Sequence, residues 1–442
     1  MLLRMQPPTA ASATSPNKAN LASRQARRQV RHLWIALVGG LLLVPTYLAA
    51  QYMTRQGWVT SLYPQTVLWC LTPYMAAAHL LYRSINIPAA EQRTVLLINT
   101  LVPYLTLVLV LALLQQPYSR GAVLMVSVLT TLWYWLCDRF LQNQEKLHLL
   151  CLDELVATEL NNEMGNQAQL LGQHVQLVSW QDNSTPLPDC DGAVISHSQN
   201  LTPIQQSQLA RIKQHHIRLY SAAAVAESLT GRKSQEELCN PLWQPDGNPA
   251  YDSVKRLADV AVVLLTAPGW IPLGILTAIA IKLDTPGPAL FSQMRTGLHG
   301  RPFRIWKFRT MVVQENTQAQ FAQTNDKRIT RLGHFLRKSR LDEIPQLVNV
   351  LLGQMSLIGP RPEQHSFVND FAIRIPSYPY RHLVRPGITG WAQVMQGYAA
   401  SEEETAIKLS YDLYYVSHYS LALDLLIVVK TIRTILTGRG AR

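Results

Sequence analysis

Cysteine is sparse in this chain. The five residues Cys70, Cys137, Cys151, Cys190 and Cys239 form no CxxC pair and no His/Cys cluster of zinc spacing. A disulfide framework and a structural zinc site are thereby excluded, and the thiols read as reduced residues in spans or cytosolic domains. Acids are also scarce: 28 Asp and Glu against 40 Lys and Arg leave a formal charge of +12. That balance fits nucleic acid, anionic lipid or a phosphorylated substrate. Charge is nearly missing from the longest apolar stretches, which argues against a transporter lined by ionisable groups. A cleavable signal is missing too, because the first apolar stretch follows about thirty residues rich in Ala, Ser, Gln and Arg, longer than an ordinary n-region. Residues 1–32 read as a disordered cytoplasmic tail.

What the chain does have is long apolar runs. Leu33 to Ala50, Leu62 to Tyr82, Val95 to Leu114 and Gly121 to Cys137 each approach the roughly 17–25 residues that cross a hydrocarbon core, giving a four-helix transmembrane anchor over 33–140. Arg24, Arg27, Arg28 and Arg31 precede the first span, Arg83 and Arg93 lie in the second loop, and Arg139 and Lys146 follow the fourth. The first and third loops hold only Arg55 and Arg120. This asymmetry places the N-terminus and everything after Cys137 in the cytoplasm. Pro45, Pro73 and Pro103 are tolerable in lipid, where neighbouring helices re-satisfy the backbone.

Residues 146–235 change texture. His148 to Leu152, Val175 to Trp180, Ala193 to Ser196 and Ile217 to Tyr220 read as strands, and Asn161 to Leu171 and Pro203 to His216 as helices. The alternation predicts a small α/β, Rossmann-like cytosolic domain with a parallel sheet. Asp153–Glu154–Leu155–Val156 after the first strand contains no glycine, and its carboxylates would repel a pyrophosphate, so the domain reads as structural rather than nucleotide-binding. The three prolines and the glycine between Leu238 and Pro249 mark a linker, placed at 236–252.

Val260 to Ile281 is a fifth apolar stretch, interrupted by Pro268–Gly269 and Pro272. Both flanks are basic: Lys255 and Arg256 before it, Lys282, Arg295, Arg301, Arg304, Lys307 and Arg309 after it. Same-sign flanks favour a segment that enters the membrane and returns, whereas hydropathy alone allows a kinked span equally well.

From Arg295 to Arg340 basic residues far outnumber acids, interleaved with Phe303, Trp306 and Phe308 after the rigid turn Leu283–Pro288. A nucleic-acid surface, a patch on anionic headgroups and a phosphate pocket compete. Nucleic acid is disfavoured because no recognised fold signature is present and the run abuts a membrane segment. Asp342 and Glu343 follow directly. Pro345 is acceptable only in a first turn, which sets both acids at a helix N-terminus. That placement suits a helix cap; beside an arginine cluster it also suits Mg²⁺ binding or nucleophilic attack on phosphorus. Gly353 to Glu363 reads as a stiff loop presenting Arg361 between two prolines, a geometry for phosphate, and Arg385 to Trp391 as another rigid turn. Leu421 to Leu436 reads as an amphipathic surface helix.

Read in order, Lys255–Arg256–Leu257–Ala258–Asp259, Thr285–Pro286–Gly287–Pro288, Lys307–Phe308–Arg309–Thr310–Met311, Leu341–Asp342–Glu343–Ile344–Pro345–Gln346–Leu347, Gly359–Pro360–Arg361–Pro362 and Pro386–Gly387–Ile388–Thr389–Gly390–Trp391 resemble the bacterial sugar transferases, the monotopic polyprenyl-phosphate glycosyl-1-phosphate transferases. The match covers residues 253–442, and the N-terminal half resembles the large members with four spans and a degenerate nucleotide-fold domain. The resemblance implies a mainly α membrane protein of the bacterial inner membrane. Its catalytic domain lies on the cytoplasmic face, with a re-entrant helix at about 257–283 bent at Pro268 and Pro272.

It further implies transfer of a sugar phosphate from a UDP-sugar to undecaprenyl phosphate, the first membrane step of exopolysaccharide, capsule or O-antigen synthesis. Asp342 would be the nucleophile and Mg²⁺ ligand and Glu343 the base, and Lys307, Arg309, Arg337 and Arg361 would line the phosphate and nucleotide pocket. A catalytically silent membrane scaffold is the rival. The chain departs from the family pattern in carrying Ile271–Pro272 for a usual Ser–Pro, Gln354 where an acid is common, and Met395–Gln396 for Asn–Gly. The lipid bilayer, UDP-sugar and undecaprenyl phosphate are the expected partners, with a homo-oligomer allowed; the sugar, the polymer and the oligomeric state are not specified by the sequence.

Overall fold

Helix and strand boundaries follow local chemistry throughout the computed structural model, which describes residues 33–56, 64–83, 91–142, 146–152, 154–180, 187–188, 190–195, 202–215, 217–234, 247, 249–312, 328–396 and 402–437. The chain divides into two units, Met1–Ser234 and Gln235–Arg442. The expected tail at 1–32 and most of the expected linker lie outside the described residues.

In the first unit, α1 (Leu33–Arg55), α4 (Gln92–Leu113) and α5 (Arg120–Cys137) contain spans long and apolar enough to cross a bilayer. The expected second span is two pieces, α2 (Pro64–Trp69) and α3 (Leu71–Arg83). Pro73 is the reason: it has no N–H for the Trp69 carbonyl, although Cys70 N–H to Thr66 O and Tyr74 N–H to Cys70 O, both 3.1 Å, carry the ladder through the turn. Lipid supplies little hydrophobic drive between helices, so polar contacts carry weight. Tyr74 Oη donates to the Ala36 carbonyl (2.8 Å), Trp133 Nε1 to that of Ile35 (3.1 Å), and Tyr104 and Thr130 share a 2.6 Å hydrogen bond.

The same unit holds four parallel strands, β1 (Leu147–Cys151), β2 (Val175–Ser179), β3 (Gly192–Ile195) and β4 (Leu219–Ser221), in the order β2-β1-β3-β4. Strand alternation sends Leu149 and Cys151 to one face, with Val156, Leu160 and Leu229, and Leu150 and Leu152 to the other, with Trp180 and Ile212. Both faces are thus covered. The expected helix at 161–171 is corrected. It runs instead as α6 (Glu154–Met164), stops where Gly165 takes φ 51°, and resumes as α7 (Ala168–His174). Downstream, α8 (Pro203–Gln214) begins with a capping box between Thr202 and Gln205. An unforeseen helix, α9 (Ala222–Thr230), is framed by the Ser221 hydroxyl, accepting from Ala224 N–H at 3.1 Å, and by Gly231 at φ 68°.

The second unit opens with α10 (Pro249–Asp284), 36 residues that stay helical through Pro268 and Pro272. Residues 249–252 belong to the helix rather than to a linker. The Trp270 indole N–H reaches back across Pro268 to the Val263 carbonyl (3.0 Å), on the stretch where the proline removes a ladder donor. Both ends of α10 are fixed to the same unit. Lys255 pairs with Asp424 and Arg256 donates to the carbonyls of Val350 (2.5 Å) and Leu351 (2.9 Å), while Ile281 packs with Ala289, Phe308 and Leu336. Between these anchors Leu257, Leu265, Ile275 and Leu276 stay exposed.

An antiparallel hairpin follows, β5 (Leu290–Thr296) with β6 (Pro302–Phe308). Its inward Phe303 and Ile305 join Val263, Val350 and Met355 in a core. Next come α11 (Arg331–Ser339) and α12 (Gln346–Leu351). The stretches read as stiff loop and rigid turn pair as short parallel strands, β7 (Ser356–Ile358) and β8 (Gly387–Thr389), with α13 (His365–Arg374) between them. Three helices end the unit: α14 (Trp391–Met395), α15 (Glu402–His418) and α16 (Leu421–Thr437). The last buries Leu423, Leu426 and Ile427 and exposes Val428, Val429, Ile432 and Ile435, so it is apolar on its packed and its open side alike.

Candidate active site

The two acids sit on a single 3-10 turn, Leu341–Glu343, between α11 and α12. Thr330 caps α11 by accepting from Gly333 N–H (2.9 Å), and Arg340 ends it in the left-handed region at φ 59°. A non-glycine residue there is strained, and the strain turns the chain so that Asp342 and Glu343 follow at once. Pro345 immediately precedes α12, consistent with an opening-turn position.

Glu343 faces inward. Its Oε1 accepts from Lys307 Nζ (3.0 Å) and Arg361 Nη2 (2.9 Å), and Arg340 Nη1 stands 3.8 Å away. Burial by itself would raise this carboxyl, but Arg361, Lys307 and Arg340 outweigh it and hold Glu343 far below the ordinary range. Lys307 responds in the opposite sense: burial lowers its ammonium, countered by Glu343. The Arg361 side chain is 30% exposed, enough to meet a ligand while bonded to Glu343.

Asp342 is displaced the other way. Burial pushes its carboxyl up, the neighbouring Glu343 charge adds to that, and Lys307, Arg340 and Arg361 oppose both. Its Oδ1 is buried without a hydrogen-bond partner, and so is Gln346 Nε2, four residues on. A buried carboxylate oxygen without a hydrogen-bond partner, on the residue next to one that three cations face, keeps its lone pairs for an incoming atom.

The sequence-selected cations divide. Lys307 and Arg361 converge on Glu343. Arg337 instead donates through Nε to the Thr310 hydroxyl (2.9 Å). The buried Arg309 holds the Thr285–Pro286 turn, donating to the carbonyls of Pro286 (3.0 Å) and Thr285 (2.7 Å) and to the Thr285 hydroxyl (2.9 Å). Pro268 and Pro272 lie within α10. Sequence reasoning missed Arg340, whose role comes from its backbone, and Gln346, although its position four residues after Asp342 was a signal. Gln354, where an acid was expected, accepts from the buried Asn349 amide (2.7 Å), which also donates to the Arg304 carbonyl (2.8 Å). A neutral oxygen is sufficient for that task.

Among the described residues no group of three His, Cys, Asp or Glu side chains is placed to hold a metal ion. The unpartnered Asp342 oxygen is the side-chain donor on this turn that would be left to hold Mg²⁺, an ion usually bound by one or two carboxylates with its other ligands from outside the protein.

Comparison with known proteins places this geometry in context. The family described as "Bacterial sugar transferase" matches residues 250–438. The UDP-N-acetylgalactosamine-undecaprenyl-phosphate N-acetylgalactosaminephosphotransferase of Aeromonas hydrophila is 40% identical over 377 residues, covering 84% of this chain and 86% of that protein. The UDP-glucose:undecaprenyl-phosphate glucose-1-phosphate transferase of Caulobacter vibrioides is 44% identical over 195 residues, 43% of this chain and 73% of that protein. Its counterpart in Escherichia coli K12 is 39% identical over 195 residues, and the aligned region is 42% of each chain.

Proposed function

This chain belongs to the bacterial sugar transferase family, and on that premise we infer that it transfers a sugar 1-phosphate from a UDP-sugar to undecaprenyl phosphate, giving undecaprenyl-diphospho-sugar and UMP. The observation that carries the reading is the contrast within one turn: Asp342 Oδ1 unpartnered, Glu343 clasped by Lys307 and Arg361.

The chemistry runs in two displacements at phosphorus. An Asp342 carboxylate oxygen attacks the β-phosphorus of the UDP-sugar. The bond from that phosphorus to the bridging oxygen breaks, its electron pair leaves on UMP, and the sugar phosphate is held on Asp342 as an acyl phosphate. An oxygen of undecaprenyl phosphate then attacks the same phosphorus and returns the carboxylate. Lys307 and Arg361 balance the phosphate charge in both steps. Glu343 acts as base in the second only after these cations turn toward the phosphates, because their contacts in the resting site keep it ionised and weakly basic. The acceptor phosphate, with a second pKa near about 6, demands little of that base. Mg²⁺ held by Asp342 and the donor phosphates would screen negative charge when bound.

The finer placement follows from the flanks. Basic ends on α10, both anchored to the catalytic unit, support a re-entrant helix and a site on the cytoplasmic face of the inner membrane. The parallel sheet of the first unit is Rossmann-like in order and has no glycine-rich turn after β1, which supports a structural role. The Aeromonas hydrophila relative, matched over most of this chain, is named for N-acetylgalactosamine, and the Caulobacter vibrioides and Escherichia coli relatives, matched over the catalytic domain, for glucose.

The test uses the full chain in lipid nanodiscs with Mg²⁺, undecaprenyl phosphate and a panel led by UDP-N-acetylgalactosamine and UDP-glucose. UMP release and an extractable lipid-linked product are expected with at least one donor. A silent scaffold yields UMP from none.

A further inference from the structure

The loop that carries Arg361 cannot hold itself. Pro360 and Pro362 have no N–H, so the loop lacks the donors for a ladder of its own. Its four successive carbonyls are instead taken by donors outside the loop, two of them from the end of β5. Pro360 O accepts from Gly387 N–H (2.9 Å) and Glu363 O from Thr296 N–H (3.1 Å). Pro362 O accepts from Arg295 Nη1 (3.3 Å). Arg361 O accepts from Arg381 Nη2 (2.9 Å).

The last of these contacts is built differently from the others. The Arg381 nitrogen that holds Arg361 O also donates to Asp412 Oδ2 (2.6 Å), and Arg381 Nη1 donates to Tyr378 Oη (2.8 Å). The Arg381 and Asp412 side chains are each only 2% exposed, so neither reaches a substrate. One turn earlier on α15, Lys408 Nζ donates to Glu363 Oε1 (2.5 Å), whose other oxygen lies 3.8 Å from Arg295. Lys408 and Asp412 thus present opposite charges on one helical face to an acid and an arginine flanking the same loop. A buried ion pair of this kind adds little net stability over a packed apolar pair, since desolvation offsets most of the attraction. Its geometry, a rigid fork with one arm on a backbone carbonyl, serves orientation.

We propose that Arg381, oriented by Asp412, is a positioning residue that fixes the main chain of Arg361 and thereby aims the Arg361 guanidinium at Glu343 and at the donor phosphates. The proposal rests on the reading of Arg361 as a phosphate-binding residue. Lysine at 381 keeps the charge beside Asp412 but has one nitrogen and no fork to hold Asp412, Tyr378 and Arg361 O together.

A double-mutant cycle on the full chain in nanodiscs tests it. Arg381→Lys lowers kcat/KM for the UDP-sugar by about 10-fold or more, mainly through KM, since an ångström of misplacement costs up to about 100-fold. In an Arg361→Ala background the same substitution costs nothing further. Losses that multiply, or an Arg381→Lys enzyme with wild-type kinetics, overturn the proposal. Asp412→Asn, which keeps shape and one acceptor, is run through the same cycle in case the lysine variant does not fold. Hydrogen exchange across residues 359–364 is measured alongside. It rises in both variants whether or not any UDP-sugar is consumed, and unchanged exchange overturns the proposal independently. Absence of UMP from the wild type with every donor instead defeats the functional reading.

Discussion

Glu343 and Asp342 are adjacent in sequence and opposite in state: the first accepts from Lys307 at 3.0 Å and Arg361 at 2.9 Å, while the second leaves a buried oxygen unpartnered. Substituting Asp342 therefore separates function from stability. Asp342→Asn removes the attacking oxygen and lowers UMP release by at least about 1,000-fold. It also raises the melting temperature at neutral pH. Because the folded carboxyl is pushed above its unfolded value, Asp342 opposes folding once ionised, and stability is lost as pH rises through that window. The gain in Asn is largest above the raised pKa and fades in acid, where the wild-type group is protonated. Thermal unfolding across pH, with UMP release at neutral pH, checks both halves. For the same reason the acid limb of kcat/KM, which reports the free enzyme, lies above the ordinary aspartate range.

Removing Glu343 has the reverse signature. Its folded pKa is depressed, so its contribution is present above the unfolded value and is lost as pH falls through the folded one. Glu343→Gln leaves Lys307 and Arg361 without their shared anion. It lowers stability by about 3 kcal/mol at neutral pH, the scale seen when one partner of a buried pair is removed. UMP release falls with it. A Glu343→Gln enzyme as stable as wild type at neutral pH but not in acid contradicts this account.

Much of this site could be read in the sequence. The paired acids, Lys307, Arg361 and the proline-framed loop carry their chemistry in residue type and order, and the four strands of the first unit carry theirs in alternation. Other features depend on contacts that no local pattern encodes. Lys307 lies on β6 and Arg309 just past its end, two residues apart, yet the first meets Glu343 and the second meets the carbonyls of Thr285 and Pro286. Arg381 and Asp412 read as ordinary charges 31 residues apart until the fold closes them into one pair. Pro268 and Pro272 mark the middle of α10 in the sequence, but the Trp270 hydrogen bond to the Val263 carbonyl across Pro268 is a contact that no local pattern encodes.

Gly333 offers a test of how closely α11 must approach the strand region. A Cβ at this position would overlap the Thr310 carbonyl oxygen, a backbone atom that cannot rotate away. Gly333→Ala displaces α11 from Thr310, loosens the Arg337 to Thr310 hydrogen bond and shifts the turn that bears both acids. The expected cost is about 1–3 kcal/mol, or several degrees in melting temperature, with lower UMP release. An unchanged melting curve excludes the close approach.

The membrane bundle has a comparable point of contact at Gly39. A Cβ there would collide with Tyr74 Oη and Trp133 Nε1, the two polar atoms that donate to the carbonyls of Ala36 and Ile35. Gly39→Val forces both side chains off α1 and strands two donors in an apolar setting. Detergent-solubilised Gly39→Val is expected to lose helicity at lower temperature than wild type, followed by circular dichroism. Loss at the same temperature rules out these contacts as a source of bundle stability.

The course of α10 is decided by labelling. Its length would let a straight helix cross the bilayer, yet its first turns are tied to Asp424, Val350 and Leu351 and its last to Phe308 and Leu336, all in one unit. A crossing helix would need that unit to hold both ends across the hydrocarbon core, about 30 Å thick. Ser253→Cys and Arg301→Cys place exposed thiols before and after the segment. With the native cysteines replaced by alanine, both react with an impermeant maleimide from the cytoplasmic side of sealed inside-out vesicles and neither reacts in right-side-out ones. Labelling from opposite sides establishes a crossing helix, a geometry in which Lys255 could not remain paired with Asp424 while Ile281 packs on Leu336.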